Sequence, residues 1–541
     1  MVPELVLIPQ DLRTADPSFF AELSAGTMGL AGATASIDAG SPFRVEPPTR
    51  EWRAALLGFG WLSDLRASNL PDAYALARRT VDDWLAQDRP NEAPDWAHAI
   101  AARRLIAWLS NAGMLVEGAS PEAYDRFMRG CELHMRRLLA LSTHDKDPAL
   151  LTAHIALVMG CLCLSDQEQR YGPALSALQT GLARQILPHG GHVSRHPGVP
   201  VELMLDLLPL RQCFMAREQK PPFWLADAMH RMVPMLRHLQ LGDRGLARFN
   251  GMAATEVDRL ATVLSYNAGE PAPGLPCAAS GYVRLSRRTT AVLLDGGQPP
   301  PPEFSAEAHA GALSFEMSAG PHLIVVNAGA PGPAAQAWRR QSRGTPAHST
   351  LLVNDTASAR LVKDGSETAT ARELLTGPSN VEVKYVELGD GAVEVQCVHN
   401  GYQHRFAMLH ARVLRLSPQG DKLSGIDRVF QSQRGAAAST SRGGHTYSIH
   451  FHIHPEARVR YGTEPATAEI ELRSGEVWTF SAFGSKLSLE DSLYFASFTG
   501  PTRTVQIVLR GHVLADTQIR WTLERKPVEP PKPQLPEPTS H

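Results

Sequence analysis

Apolar residues recur every three or four positions through roughly residues 50–265, which is the period of amphipathic helices. Segments with this period include PEAYDRFMRGCELHMRRLLAL, PALLTAHIALVMGCLCL and PVELMLDLLPLRQCFMA. Each of them begins at or beside a proline, which suits the first helical turn. Short polar links between them predict antiparallel helical hairpins packed as a closed or partly closed ring. In WAHAIAARRLIAWLSNAG one face carries Trp96, Ile100, Leu105, Trp108 and Leu109.

The period changes to two near residue 270, after a Pro/Gly/Ala-rich stretch. VEVKYVEL and AVEVQCV flank a turn at Asp390-Gly391, which predicts a β-hairpin. Alternating segments then follow one another to about residue 520, as in an antiparallel β-sandwich. Helices first and strands second argue against a parallel α/β fold. The predicted organisation is an N-terminal extension (1–49), a helical domain (50–267), a linker (268–281), a β-sandwich (282–525) and a disordered Pro-rich tail (526–541).

Composition narrows the class of protein. Among 541 residues, 53 Lys and Arg stand against 55 Asp and Glu, so no basic excess points to nucleic acid. The N-terminus lacks the basic and apolar parts of a secretory signal, and no apolar run reaches the ~18 residues of a membrane span. We therefore expect a cytoplasmic protein with no transmembrane segment. P-loop, HExxH and GxSxG motifs are absent, which disfavours NTPases, zincin proteases and ordinary serine hydrolases.

The densest polar cluster of the helical half is HGGHVSRHPGVPVE. It holds His192, Arg195 and His196 in a loop enforced by Gly190-Gly191 and Pro197. Imidazoles and a guanidinium gathered at helix ends can bind an anionic substrate or transfer protons. An exposed interhelical loop with incidental histidines is the alternative. Further along, Asn250 is either a helix N-cap or a site residue.

Two more clusters lie in the β half. His309 precedes one strand, Asn327 ends the next and His348 begins a third, so these side chains could hold Zn²⁺ at a sheet edge. Histidines hydrogen-bonded to the backbone are the alternative. Between them, AWRRQSRGTPAH can bind carboxylate or sulfate and stack on a sugar ring, or form a solvated loop. Its candidate binding residues are Trp338, Arg339, Arg340 and Arg343.

Six segments of the chain carry a family resemblance. They are GGHVSRHPGVPVELMLDLLPLRQ and FNGMAATE in the helical half, and SGYVRLSRRTTAVLLDGG, EAHAGALSFEMSAGPHLIVVNAGAP, WRRQSRGTPAHSTLLVNDTASAR and LHARVLRLSPQGDKLSGIDRVF in the β half. Their order and combination resemble the heparinase II/III family of polysaccharide lyases. The resemblance implies an incomplete (α/α) toroid followed by an antiparallel β-sandwich. It also implies β-elimination on a uronic-acid polysaccharide, often in the periplasm or cell envelope.

The family's motifs are only partly kept. Glu307 stands where the family has its catalytic His, and His309 stands at the zinc-ligand His. Asn327 replaces the metal Asp, and His348 is retained. The resemblance therefore implies a structural Zn²⁺ held by His309, Asn327 and His348, with Glu307 contacting substrate.

The catalytic loop also departs from the family because it lacks the expected Tyr. His192 or His196 is then the predicted base, with Arg195 neutralising the uronate carboxylate. We predict a lyase acting on an acidic polysaccharide. The alternatives are a catalytically silent relative that binds acidic glycans through Arg339, Arg340 and Arg343, and a glycoside hydrolase using Glu307 and Glu316.

Overall fold

The computed structural model describes residues 2–37, 41–87, 96–140, 147–266, 275–363, 373–432, 444–514 and 516–527. Half of the predicted linker and nearly all of the predicted Pro-rich tail lie outside these residues. The predicted fold class is confirmed, because helices fill the N-terminal half and antiparallel sheets fill the C-terminal half.

The helical half is an incomplete toroid of antiparallel pairs. Helix α5 packs on α2 and α8, and α8 in turn packs on α9 and α10. Pro121 starts α7 as predicted, and the Ser120 hydroxyl accepts a hydrogen bond from the Ala123 amide at the first turn. No helix among the described residues is both long enough and apolar enough to cross a membrane. The helices are α1 (Phe19–Ser24), α2 (Arg50–Gly58), α3 (Leu62–Ser68), α4 (Pro71–Ala86), α5 (His98–Ser110), α6 (Ala112–Val116), α7 (Pro121–Leu139), α8 (Leu150–Cys163), α9 (Glu168–Gln185), α10 (Val199–Ala216), α11 (Phe223–Leu239) and α12 (Val257–Ser265).

The N-terminal segment is part of this half. The Val6 amide donates to the Cys163 carbonyl at 2.8 Å, at the end of α8. Arg13 reaches the buried Asp206 of α10 at 2.9 Å, and Arg103 of α5 holds the same carboxylate at 2.8 Å. A short hairpin, β1 (Thr27–Leu30) and β2 (Ala33–Ser36), lies between α1 and α2. The first residues of the chain therefore brace the helices that form the toroid wall.

The C-terminal half is a two-sheet antiparallel sandwich. One sheet has the order β11-β12-β13-β14-β21-β18-β17-β16, and the other has the order β19-β20-β15-β7-β6-β5-β4-β3, with β8 pairing β15. The hairpin predicted at Asp390-Gly391 is confirmed as β11 and β12. The strands are β3 (Ala278–Ala279), β4 (Tyr282–Arg287), β5 (Thr290–Asp295), β6 (Phe315–Ala319), β7 (His322–Val326), β8 (Leu351–Val353), β9 (Arg360–Lys363), β10 (Glu373–Thr376), β11 (Val381–Glu387), β12 (Val393–His399), β13 (Met408–Leu416), β14 (Lys422–Gln431), β15 (His445–Ile453), β16 (Arg458–Tyr461), β17 (Thr467–Glu471), β18 (Val477–Phe483), β19 (Lys486–Tyr494), β20 (Thr502–Val513) and β21 (Asp516–Arg525).

The sandwich core contains a buried polar network as well as its apolar contacts. Asp427 accepts hydrogen bonds from Arg412 at 2.8 Å and from the Trp521 indole at 2.9 Å. Arg412 also donates to the carbonyls of Leu313 and Ser349, both at 2.8 Å. Because these carbonyls belong to the loops before β6 and β8, the core guanidinium fixes the loops that carry His309 and His348.

A second buried network joins the two halves of the molecule. Arg195, in the loop between α9 and α10, forms a 2.5 Å ion pair with Asp295 at the end of β5. Asn250 donates to the other Asp295 oxygen at 3.2 Å and to the Tyr282 hydroxyl at 2.8 Å. The Tyr282 hydroxyl donates to the Arg195 carbonyl. Arg195 and Asn250 both adopt left-handed backbone, with φ of 59° and 45°, a conformation that these contacts must hold in place.

We expect Asp295→Ala to lower the free energy of unfolding by about 3–5 kcal/mol, because it leaves the Arg195 guanidinium buried without a counter-charge. Asp82→Ala is the matched control, since Asp82 pairs with Arg126 at 3.3 Å and both side chains are about half exposed; it should cost under ~1 kcal/mol. Urea unfolding of the full chain measures both values. Equal effects of the two substitutions would contradict the assigned role of Asp295.

Candidate functional site

A cleft of about 780 Å³ lies between the toroid and the sandwich. The toroid contributes Thr152 of α8, Gln185 at the end of α9, and the loop after α9. The sandwich contributes two segments, one around the 3₁₀ turn Pro302–Phe304 and one at Pro333–Ser342, which is a 3₁₀ helix continued by α13 (Arg339–Ser342). The predicted residues that line it are His192, His196, Glu307 and Arg339.

His192 is held as a neutral imidazole. Its Nδ1 accepts a hydrogen bond from the Ser194 amide at 3.1 Å, so the proton must reside on Nε2. Nε2 lies 2.9 Å from Gln185 Oε1 and donates to it. Burial, and to a smaller extent His196, lowers the pKa of His192 to about 3. The Nδ1 lone pair that a general base would use is therefore occupied by a backbone amide.

His196 is constrained in the same way. Its Nδ1 accepts from the Gly198 amide at 3.0 Å, and its ring also bonds to the backbone of Gly251. Burial lowers the pKa of His196, although the nearby Glu307 carboxylate partly opposes this. The structure thus brings both predicted bases to the cleft, but it presents them as hydrogen-bonded neutral rings.

Arg195 does not face the cleft, contrary to the prediction that it neutralises a substrate carboxylate. Its guanidinium binds Asp295 and also donates to the carbonyls of Gly281 at 2.9 Å and Gln298 at 3.1 Å. Burial alone would lower the pKa of Arg195, but the Asp295 charge outweighs it and holds the pKa above its ordinary value. Arg195 therefore ties the two halves together.

Asn250 was predicted as a substrate-binding residue or a helix N-cap, and its position fits neither role. The next helix, α12, is preceded by Glu256, six residues further on. Asn250 is buried, and its Oδ1 accepts from the His309 amide at 3.2 Å while its amide nitrogen serves Tyr282 and Asp295. All three polar positions of this side chain are used inside the domain junction.

The predicted Trp and Arg cluster divides among four environments. Arg339 lines the cleft but forms a 2.5 Å ion pair with Glu307. Arg340 is exposed and pairs with Glu373 at 3.3 Å. Arg343 is buried, where it donates to the carbonyls of Ala308 and Ser305. Trp338 faces a separate groove. These four side chains therefore do not form one anion-binding surface, because neighbouring positions on the short helical segment point in different directions.

The charge of the cleft was not evident from the sequence clusters. Its lining holds four carboxylates and two guanidinium groups, and one of those guanidinium groups is that of Arg339, already paired with Glu307. The proline run before Glu303 signals a rigid loop and could have drawn attention to that carboxylate. The charged lining residues are Arg50, Glu51, Asp147, Glu303, Glu307 and Arg339.

Two of the three residues predicted to hold Zn²⁺, His309 and His348, are in contact. His309 Nδ1 and His348 Nε2 lie 3.0 Å apart, and His348 Nδ1 donates to the Gly344 carbonyl at 2.8 Å. His348 Nε2 therefore accepts the His309 proton. The Asn327 Oδ1 accepts from the Ser349 amide at 3.0 Å, and its Nδ2 is buried without a partner.

A structural zinc site needs four ligands, usually with at least one anionic or thiolate donor. Over the described ranges, no three or more His, Cys, Asp or Glu side chains gather in a way that could hold a metal ion. Burial lowers the pKa of both imidazoles, that of His348 to about 4, so each ring is neutral and one donates its proton to the other. The residues present therefore do not fit a structural Zn²⁺. The hydrogen bond between His309 and His348 joins the loops before β6 and β8 instead.

A helical toroid followed by a two-sheet sandwich, with a cleft between them, is the fold of the heparinase-type polysaccharide lyases. Residues 270–522, which include the sandwich half of the chain, match the family model described as heparinase II/III-like, C-terminal.

Two solved structures are similar to this chain in fold, and one curated relative is similar to it in sequence. The crystal structure of heparinase III superposes with a TM-score of 0.75 at 13% identity, covering 98% of this chain and 87% of that chain. A mutant of the heparan sulfate lyase HepC from Pedobacter heparinus gives 0.67 at 13% identity, covering 97% and 86%. FtsZ-localized protein C from Caulobacter vibrioides is 29% identical over 523 residues, 96% of this chain and 89% of that protein.

We expect the purified protein to carry well under one zinc per chain and to keep its melting temperature in EDTA, because Asn327 supplies no anionic ligand. Asn327→Asp should bind more zinc than the unaltered protein, with water as the fourth ligand, and should gain thermal stability when zinc is added. The unpartnered Nδ2 means that this change sacrifices no hydrogen bond. Elemental analysis and thermal unfolding measure both effects, with the exposed Asn380→Asp as control. Stoichiometric zinc in the unaltered protein would refute this expectation.

Proposed function

We propose that this chain is a glycan-binding member of the heparinase II/III family whose cleft takes a glycan of low negative charge and does not carry out β-elimination on polyuronates. The observation that carries the proposal is that all three predicted catalytic side chains are engaged in contacts within the protein. His192 and His196 have their Nδ1 lone pairs bonded to backbone amides, and Arg195 is paired with Asp295.

β-Elimination needs a base for the proton next to the uronate carboxylate and a group that stabilises the charge developing on that carboxylate. The cleft offers two neutral imidazoles with occupied acceptor nitrogens. Its sandwich-side guanidinium, Arg339, already holds Glu307. Among these candidates, no side chain is therefore free to act as the base or to stabilise the charge on the carboxylate.

Charge argues for the class of glycan. The lining holds four carboxylates against two guanidinium groups, and Arg184, just outside the lining, pairs with Glu303 at 3.0 Å. The remaining excess of negative charge disfavours a polyanion and suits a neutral or amino sugar. Uncharged hydrogen-bonding side chains are also available for hydroxyl groups, namely Thr152, Gln185, Ser194 and Gln336.

A hydrolase using Glu307 and Glu316 is less well supported. Glu316 is completely buried in β6, where its two oxygens accept from the amides of Asn327 at 2.8 Å and Arg248 at 3.1 Å. Burial raises the pKa of Glu316 to about 7. This carboxyl group does not line the cleft, whereas Glu307 does. A pair of carboxylates facing one glycosidic bond therefore cannot be built from these two residues.

The test combines turnover with binding. We expect no rise in the ultraviolet absorbance of unsaturated uronates when the protein is incubated with alginate, polygalacturonate or heparan sulfate, whereas calorimetry should detect binding of N-acetylglucosamine or glucosamine oligomers. Glu307→Gln should improve binding of acidic oligomers several-fold, because it frees Arg339. The exposed Glu464→Gln, outside the cleft, should change nothing. An absorbance rise with any of the acidic polymers would establish a lyase and overturn the proposal.

A second candidate function is localisation at the cell-division site together with FtsZ. It rests on the 29% identity to FtsZ-localized protein C over nearly the whole chain, against 13% to the lyases over similar coverage. A fluorescent fusion expressed in the source cell should form a band that coincides with labelled FtsZ and disperses on FtsZ depletion. The fluorescent protein alone is the control. A fusion that stays uniformly distributed in dividing cells would exclude this function.

A further inference from the structure

A second groove, of about 480 Å³, lies on the other side of the Pro333–Ser342 segment from the cleft. Gln336 and Arg339 of this segment line the cleft, whereas Trp338 and Gln341 line the groove. One short helical ridge therefore separates the two depressions. The groove's opposite wall comes from β15, β19 and β20 at one edge of the sandwich.

The floor of the groove is a small apolar cluster of its own. Ala328, Ala347 and Phe495 form it, apart from the two large cores, and Leu493 packs against it. Trp338 stands over this floor with its ring centroid 5.8 Å from that of Phe495 and 41% of the residue exposed. An aromatic face beside an apolar floor is complementary to the C–H face of a pyranose ring.

The rim of the groove is polar, and two of its charged side chains are available to bind a ligand. Arg503 and Asp491 are exposed, and neither side chain has a hydrogen bond or ion pair within the described part of the chain. Deeper in the groove, His452 is fixed by bonds to the Ser492 hydroxyl at 2.7 Å and the Pro346 carbonyl at 2.9 Å. The groove thus combines a rigid polar wall with a free donor and a free acceptor that can reach sugar hydroxyls.

We propose that this groove is a second glycan subsite, in which a neutral or amino sugar stacks on Trp338 while Arg503 and Asp491 bind its hydroxyl groups. A chain long enough to cross the ridge occupies the cleft and the groove together. This inference rests on the proposed function, since it extends the same ligand beyond the cleft. Two linked subsites make affinity depend on chain length, because the second contact is intramolecular once the first has formed.

The experiment is calorimetry on the full-length protein with a disaccharide and a hexasaccharide of N-acetylglucosamine, repeated with glucosamine oligomers. The unaltered protein should bind the hexasaccharide at least tenfold more tightly than the disaccharide. Trp338→Ala should remove that advantage, a loss of about tenfold or 1.4 kcal/mol. Arg503→Ala, at an exposed position with no partner to lose, should weaken hexasaccharide binding about threefold. Phe483→Ala, an exposed aromatic on the other sheet, is the matched control.

The outcomes separate the two proposals. If the unaltered protein binds the oligomers but Trp338→Ala and Arg503→Ala leave the length dependence intact, the groove is not a glycan subsite and the cleft proposal stands. If neither oligomer type binds, the proposed function fails and the subsite fails with it. If Trp338→Ala spares glycan binding but disperses the band formed with FtsZ, the groove docks a protein and the subsite is overturned.

Discussion

The ion pair between Arg195 and Asp295 is the interaction on which the arrangement of the molecule depends. It joins the loop after α9 to the end of β5 across a sequence separation of one hundred residues. Asn250 and Tyr282 complete the network, so that the toroid loop, the loop before α12 and two sandwich strands meet at one buried carboxylate. Because a buried charge is stable only when it is fully partnered, this junction tolerates little displacement of either half. The cleft owes its shape to that constraint.

The same constraint decides the chemistry of the cleft. With Arg195 turned inward, His192, Ser194 and His196 are left as the polar side chains of this loop that face the cleft, and backbone amides hold both imidazoles as neutral rings. On the opposite wall Glu307 neutralises Arg339. The fold resembles that of the lyases, but these polar side chains of the cleft are engaged in contacts within the protein. This lining supports the proposed binding of an uncharged or amino glycan.

The loops of His309 and His348 are joined by a hydrogen bond at the position where the sequence predicted a metal site. Two imidazoles, one donating to the other, connect the loop before β6 to the loop before β8. Arg412 reinforces the connection from the sandwich core by donating to carbonyls in both loops. The imidazoles and Asn327 make these contacts as neutral groups, and the charge of Arg412 is balanced by Asp427. The loops are therefore held in place without a negative charge at position 327.

The sequence alone determined the order of the two halves and several element boundaries, because helical and strand periodicity and turn chemistry at Asp390-Gly391 act over a few residues. It also located the loop that brings His192 and His196 to the cleft. Which way each side chain faces was decided only by the tertiary structure. Left-handed backbone at Arg195 directs its guanidinium to a carboxylate one hundred residues away, and the helical twist at Pro333–Ser342 sends Trp338 and Arg339 to opposite sides of a ridge. Pairings of that range depend on packing between domains, which local sequence patterns do not encode.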